Sequence, residues 1–143
     1  MTNALLRLTP LLLVTACSPP PPAIEVRDAW ARATAPGQTS GAIYATIVDA
    51  GGGDRLTGAA TDRARSAMLH SNLAERDIIR MRMLGEVEIP AGTTVVLSPG
   101  ATHIMLDGLG APLIAGETVA LTLRFAKAGP KTVTAIVTAP GAR

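Results

Sequence analysis

The sequence is poor in the residues that many binding and catalytic sites use. Its 143 residues include one cysteine, Cys17, and three aromatic residues, Trp30, Tyr44 and Phe125. A single cysteine excludes an intrachain disulfide. The formal net charge is only +2, with no cluster of lysine or arginine. Because nucleic-acid binding uses a basic stripe, usually with stacking rings, we expect no nucleic-acid partner.

Patterns typical of several enzyme classes are missing as well. No G-x-S-x-G elbow supports a serine hydrolase, and the glycines at 51–53 lack the phosphate-loop pattern. A catalytic zinc takes three His, Cys or carboxylate ligands, which two histidines with methionines do not supply. A blue-copper electron carrier requires a cysteine ligand beside its histidines. We therefore predict a binding protein without catalytic turnover.

Residues 1–16 have the features of a cleaved signal peptide. Arg7 supplies positive charge, and the apolar run from Leu8 to Val14 is too short to span a bilayer as a lasting helix. The segment V-T-A-C, which ends at Cys17, resembles a bacterial lipobox. We predict an exported, periplasmic lipoprotein that is anchored to a membrane through acylated Cys17. The alternative is a plain secretory signal followed by an incidental cysteine.

Residues 17–23 form a proline-rich link to the folded domain, which we place at 24–143. Consecutive prolines from Pro19 to Pro22 favour an extended polyproline II conformation. The link is therefore predicted to be a stiff tether, and the alternative is a disordered leader.

The domain has the pattern of an all-β protein. Val119, Leu121, Leu123 and Phe125 alternate with polar or small residues, which is the period-two signature of a half-buried strand. Several such segments are separated by turns of Gly, Pro, Asp and Asn, which favours a β-sandwich or Greek-key barrel. One helical turn is expected at most, at 61–65, and the polar segment 72–77 is expected to be a loop that keeps His70 near solvent.

Both histidines and every methionine except the initiator lie between positions 68 and 105. Imidazole and thioether together suit copper, and thioether selects Cu(I) over zinc, magnesium or calcium. Since strand residues two apart share a face, each close pair is predicted to point one way. These pairs are Met68 with His70, Met81 with Met83, and His103 with Met105. Considered alone, a methionine on a strand is more often core filler, and a lone histidine is more often a surface or hydrogen-bonded residue.

The order and spacing of these residues, H-x10-M-x21-H-x-M from His70 to Met105, resemble the copper-binding signature of the periplasmic Cu-A chaperone (PCuAC-type) family. The flanking segments VRDAWARAT, GAIYATI, EIPAGTTVVLSPGATHIML and PLIAGETVALTLRFAKAG resemble it as well. The resemblance implies a cupredoxin-like fold and a Cu(I) site formed by His70, Met81, His103 and Met105. Met83 and Met68 are candidate auxiliary donors, or packing residues.

The same resemblance implies a copper chaperone that delivers Cu(I) to the Cu-A centre of cytochrome c oxidase subunit II, with a Sco-type thiol protein as a further partner. Two alternatives remain open from the sequence. One is a copper-scavenging or tolerance lipoprotein without an oxidase client. The other is a β-sandwich module for envelope interactions that binds no metal.

Overall fold

The computed structural model describes residues 17–76 and 78–143. The signal peptide predicted at 1–16 lies outside this range, as does Asp77. The described residues form ten β-strands and no α-helix. The strands are β1 (Ile24–Arg32), β2 (Ser40–Asp49), β3 (Asp54–Ala60), β4 (Ala64–Glu75), β5 (Ile78–Met83), β6 (Val87–Ile89), β7 (Thr94–Leu97), β8 (Thr102–Leu109), β9 (Thr118–Phe125) and β10 (Gly129–Thr138).

Seven of these strands close into a barrel. Their order is β4-β8-β2-β1-β10-β9-β3, and Ala59 of β3 pairs with Ala67 of β4 to complete the ring. The first and last strands of the chain, β1 and β10, run parallel, and the other pairings are antiparallel. The remaining strands, β5, β6 and β7, are added to the margins of the barrel. The predicted all-β class is therefore confirmed.

The core is formed by the inward half of each period-two pattern. In β9, the four predicted apolar residues are buried while their neighbours are exposed or partly exposed. In β2, β4 and β8, the residues Ile43, Leu69 and Ile104 are likewise buried in the core. Their immediate neighbours along each strand therefore point to the outer face of the sheet.

Two local expectations were wrong. Residues 72–75 are not a loop but the last part of β4, because β5 pairs with them and satisfies their backbone groups. The turn that joins the two strands begins after Glu75. Its first residue, Arg76, lies in the left-handed region at φ 47°. The expected helical turn at 61–65 is a plain turn, since β4 already begins at Ala64 and joins the barrel.

The proline-rich link packs against the turn between β2 and β3. Ala50 N–H donates to the Ala23 carbonyl at 3.1 Å, and Gly52 N–H donates to the Pro21 carbonyl at 3.1 Å. A Cβ on Gly52 would collide with the Pro20 carbonyl oxygen, so a glycine is required where these backbones meet. Only Ser18 and Pro19 lie between Cys17 and this packed segment.

Asp49 fixes this contact from inside the turn. Its Oδ1 accepts hydrogen bonds from Ala23 N–H at 2.8 Å and Gly51 N–H at 3.0 Å, and its Oδ2 accepts one from Gly53 N–H at 2.8 Å. Burial alone would raise the pKa of this carboxyl. The backbone N–H donors outweigh that effect and hold the Asp49 pKa below its ordinary value.

Candidate metal centre

His70 and His103 lie side by side on neighbouring strands. They are direct partners in the register between β4 and β8, and their ring centroids are 6.2 Å apart. Each is flanked along its strand by a core residue, Leu69 and Ile104 respectively. Both imidazoles therefore occupy the outer face of the sheet, which we call the metal face and which also carries Met68, Met81, Met83 and Met105.

One ring nitrogen of His103 makes a hydrogen bond within the protein. The residue is buried, and its Nδ1 lies 2.9 Å from the carbonyl oxygen of Ala101. Because a carbonyl oxygen only accepts, Nδ1 must carry the proton, which leaves Nε2 of the neutral ring with a free lone pair. Fixing one imidazole nitrogen in this way is how proteins orient a histidine that ligates a metal through its other nitrogen.

His70 has no such partner. Both of its ring nitrogens are buried and make no hydrogen bond to any described residue. Burial lowers its pKa below the ordinary value of 6.5, and the charge of a protonated His103 would lower it further. Its imidazole is therefore kept neutral, which is the protonation state that a metal ligand needs.

Two methionines occupy the row next to the histidine pair. Met105 is two residues beyond His103 on β8, and Met68 is two residues before His70 on β4. They are direct partners in the register, so their Cβ atoms lie about 4.5–5.5 Å apart. Both side chains are half-buried. His70, His103, Met68 and Met105 thus form a compact rectangle of donors on two adjacent strands.

The other two methionines come from β5, on the far side of β4. Met83 is the direct partner of His70, whereas Met81 pairs with Asn72 and lies diagonal to His70 at about 7–8 Å between Cβ atoms. Both are well exposed, with 54% of Met81 and 66% of Met83 accessible. The interpretation of either as core filler is therefore wrong. The structure brings three of the four predicted ligands together and leaves Met81 one row away on the same face.

Sequence reasoning missed an aromatic cover on this face. The rings of Trp30 and Tyr44 stack with centroids 4.4 Å apart, and Tyr44 lies 6.3 Å from the ring of His103. Both aromatic residues are buried although they point outward. They shield the β2 side of the histidine pair from water. The alternation of Ile43 and Ala45 into the core was the signal that could have placed Tyr44 on this face.

Within 17–76 and 78–143, no three His, Cys, Asp or Glu side chains lie close enough to share an ion. The donor set on the metal face consists of two imidazoles and four thioethers. This chemistry fits a soft ion such as Cu(I) and does not fit calcium or magnesium, which take oxygen ligands.

Comparison with known proteins places the chain in a family. Residues 24–137 match the sequence profile described as "Putative lipoprotein LpqE-like". The chain belongs to the LpqE-like family. A relative from Leifsonia xyli subsp. xyli (strain CTCB07), called "Putative lipoprotein Lxx21020", is 38% identical over 104 residues. The match covers 71% of this chain, which spans only 61% of that relative's length.

Solved structures share the fold of this LpqE-like chain. A copper-bound PCuAC domain from PmoF2 matches with a TM-score of 0.70 and 28% identity, over 82% of this chain and 93% of that domain. Apo-DR1885 from Deinococcus radiodurans matches with a TM-score of 0.64 and 29% identity, over 99% and 98% of the two chains. The Cu(I) form of DR1885 gives 0.58 and 35%, over 78% and 74%. The predicted cupredoxin-like fold and the resemblance to PCuAC proteins are thereby confirmed.

Proposed function

We propose that this protein is an exported Cu(I) carrier that holds the ion on its metal face. His70, Met81, His103 and Met105 are the proposed ligands. The observation that carries the proposal is the state of His70, whose two ring nitrogens are buried without a hydrogen-bond partner. A buried polar group without a partner costs about 1–3 kcal/mol, and a coordinated ion would satisfy it.

The donor set supports a soft monovalent ion. Two neutral imidazoles and two thioethers carry no negative charge. They would therefore bind Cu(I) mainly through the covalent character of the bonds between soft ligands and a soft ion, and less through electrostatic attraction. The free Nε2 of His103, the neutral ring of His70 and the half-buried thioether of Met105 supply three positions on adjacent strands.

The fourth ligand would come from the β5 strand. Met81 is exposed and flexible, and its three side-chain torsions allow the thioether to swing across Asn72 toward the histidine pair. Met83 and Met68 are auxiliary donors that flank the same pair. A mobile thioether at the exposed margin also gives an incoming partner a place to begin ligand exchange.

Release would occur by exchange onto a partner with stronger ligands. Because the carrier's donors are neutral, a thiolate-bearing acceptor can displace them one at a time. We propose cytochrome c oxidase subunit II, through its Cu-A centre, as the client, with a Sco-type thiol protein as a further partner. The support is the sequence signature, and the likeness to PCuAC domains is consistent with it.

The proposed site of action is the outer side of a membrane. The LpqE-like family is described as lipoproteins, and Cys17 ends the lipobox-like segment. Acylation at Cys17 would anchor the protein stably, since each buried CH2 contributes roughly 0.8 kcal/mol. Incorporation of labelled fatty acid into the wild type, and loss of that label in Cys17→Ser, is the expected result. A Cys17→Ser protein that stayed on the membrane through covalent lipid would contradict the anchor.

Anaerobic titration with Cu(I) against a competing chelator tests the carrier itself. We expect one equivalent of tightly bound Cu(I), and weaker binding in His103→Ala and Met81→Ala. No stoichiometric binding, or binding that both variants leave unchanged, would favour a module that binds no metal. Deletion of the gene with oxidase activity as the readout tests the client: full activity at low copper would favour scavenging over delivery.

A further inference from the structure

The distal part of the β4–β5 ribbon, residues 72–81, projects from the barrel. The β4–β8 register ends at Ser71, and one further backbone hydrogen bond joins Asn72 N–H to the Ala101 carbonyl at 3.4 Å. From Leu73 onward, β4 pairs only with β5. No neighbouring strand covers the other edge of β5 in the described chain, and each residue of β5 is exposed. The distal part of the ribbon therefore contributes nothing to the core.

The end of this ribbon is apolar on both of its faces. Ile78 is 55% exposed and Ile79 is 74% exposed, although the two are consecutive residues of one strand and point to opposite sides. Leu73, on the same face as Ile78, is exposed as well. A protein that docked on one side of the ribbon would cover one of these faces and leave the other exposed to water. Insertion of the tip into a soft apolar medium would cover both.

The ribbon tip lies at the end of the barrel to which the N-terminal segment is fixed. Asp107 of β8 pairs with Ser40 of β2 on one side and with Ser66 of β4 on the other. Nine residues further along, these two strands, which run in the same direction, end at Asp49 and Glu75. Asp49 holds the backbone of Ala23, six residues after Cys17. An acyl chain at Cys17 would therefore bring this end of the barrel, with the ribbon tip, to a bilayer.

The charges around the tip suit an anionic surface. Arg76 and Arg80 flank the two isoleucines in the sequence, and Arg82 follows on β5. With the acidic residues Glu75 and Asp77, the segment 75–82 carries a formal charge of +1. Arginine and exposed large apolar residues together are the composition of segments that adsorb at anionic membrane interfaces. Negatively charged phospholipid headgroups would pair with the arginines while Ile78 and Ile79 enter the boundary with the acyl chains.

We propose that the tip of the β4–β5 ribbon is a membrane-contact element that inserts Ile78 and Ile79 into the interface of an anionic phospholipid bilayer. The contact is a second attachment point besides the acylated Cys17 proposed above. His70 is five residues from Glu75 along β4, which corresponds to about 16 Å at 3.3 Å per residue. The metal face is thereby held close to the membrane surface.

Vesicle binding by a chain without an acyl group tests the contact directly. Residues 17–143 with Cys17→Ser contain all ten strands but have no site for lipid attachment. We expect this protein to cosediment with vesicles of phosphatidylglycerol and phosphatidylcholine, and to bind phosphatidylcholine alone more weakly. The pair Ile78→Ser/Ile79→Ser is expected to lower partitioning to the anionic vesicles by at least roughly tenfold.

A matched pair at the opposite end of the barrel provides the control. Ile114 is 60% exposed and Ile136 is 54% exposed, similar to the tip isoleucines. Leu113, next to Ile114, pairs with Thr34, just beyond the end of β1 opposite to Ile24. Ile114→Ser/Ile136→Ser should leave vesicle binding unchanged. Circular dichroism and urea unfolding in the absence of lipid verify that each variant is folded.

Three results would overturn the proposal. They are absence of binding by residues 17–143 with Cys17→Ser, equal binding when Ile78→Ser/Ile79→Ser is added, and an equal loss in the Ile114→Ser/Ile136→Ser control. A protein that fails on vesicles but binds Cu(I) would contradict the membrane contact and leave the carrier function standing. A protein that binds vesicles but not Cu(I) would contradict the carrier function and leave the membrane contact standing.

Discussion

Two buried polar sites in this molecule are built in opposite ways. At the turn that holds the N-terminal segment, Asp49 accepts hydrogen bonds from three backbone N–H groups, and nearby Asp54 accepts from Arg55, Lys127 and Ala128. On the metal face, His70 buries two nitrogens and gives neither a partner. The first arrangement is saturated, and the second is left open.

The difference separates stability from function. A buried carboxylate that is fully hydrogen-bonded stabilises the fold, and removing it leaves several backbone donors without a partner. A buried imidazole whose N–H donor and lone-pair acceptor both lack a partner costs stability in the metal-free protein. A metal ion that coordinated His70 would offset this loss of stability. We therefore expect mutations at Asp49 and His70 to have opposite patterns of effect.

The largest expected effect is on copper affinity. His70→Leu removes a proposed ligand and is expected to weaken Cu(I) binding by at least about 100-fold, the upper end of what supporting groups around a metal site contribute. Because the substitution also removes two unsatisfied nitrogens, the free energy of unfolding of the apo protein should not fall. Chelator competition and urea unfolding measure the two quantities. A variant that lost stability but kept its copper affinity would reverse the comparison.

The counterpart substitution is Asp49→Ala. It leaves the N–H groups of Ala23, Gly51 and Gly53 without their acceptor, so we expect a loss of about 2–3 kcal/mol in the free energy of unfolding. Copper affinity of the folded protein should stay within about twofold of wild type, since the turn lies outside the metal face. Asp62→Ala, at an exposed turn, is the control and should change stability by less than about 0.5 kcal/mol.

The comparison sharpens further at the two exposed methionines. Met81→Leu keeps the size of the side chain but removes the thioether of a proposed ligand, and a weakening of Cu(I) binding of about tenfold is expected. Met83→Leu changes the direct partner of His70 and should weaken Cu(I) binding by a factor less than about a third of that for Met81→Leu. If Met83→Leu proved the more damaging, the fourth ligand would be assigned to Met83 in place of Met81.

The smallest expected effect is in the pH dependence of apo stability. The pKa of His70 is lowered by burial, so the unfolded chain takes up its proton near pH 6.5 and the folded chain does so only at lower pH. The contribution of neutral His70 is therefore fully present above pH 6.5 and is lost as the pH falls through its folded pKa. The pKa of the Asp49 carboxyl is lowered from 3.8 by backbone N–H donors that outweigh its burial, so its contribution is lost only in more acidic solution.

Urea unfolding between pH 7.5 and 5 should thus show a decline in wild type that is smaller in His70→Leu and unchanged in Asp49→Asn. His103 is present in all three proteins, so the difference between curves reports on His70. Parallel curves for wild type and His70→Leu would contradict the lowered pKa.

The fold and much of the metal face could be predicted from the sequence. Period-two alternation fixed which side of β2, β8 and β9 enters the core, and it placed His103 with Met105 and Met81 with Met83 on shared faces. It could not place β5 against β4, because register depends on pairing over a turn whose residues at 75–78 have no distinctive turn signal. That register decides that Met83, and not Met81, lies directly opposite His70.

Other features depend on contacts between distant segments. The aromatic cover formed by Trp30 and Tyr44 requires the β1–β2 register, and the packing of Pro20 and Pro21 on the glycine turn requires the backbone path of both segments. Polarity alone predicted a loop at 72–77, whereas hydrogen bonding to β5 extended the strand. Neither the packed link nor the longer strand could be read from local composition.

X-ray absorption of the anaerobically Cu(I)-loaded protein tests the central claim most directly, because it counts the sulfur and nitrogen neighbours of the ion. The account predicts two imidazole nitrogens and two thioether sulfurs, with one nitrogen lost in His70→Leu and one sulfur lost in Met81→Leu. A shell without sulfur, or one that is the same in wild type and His70→Leu, would contradict it.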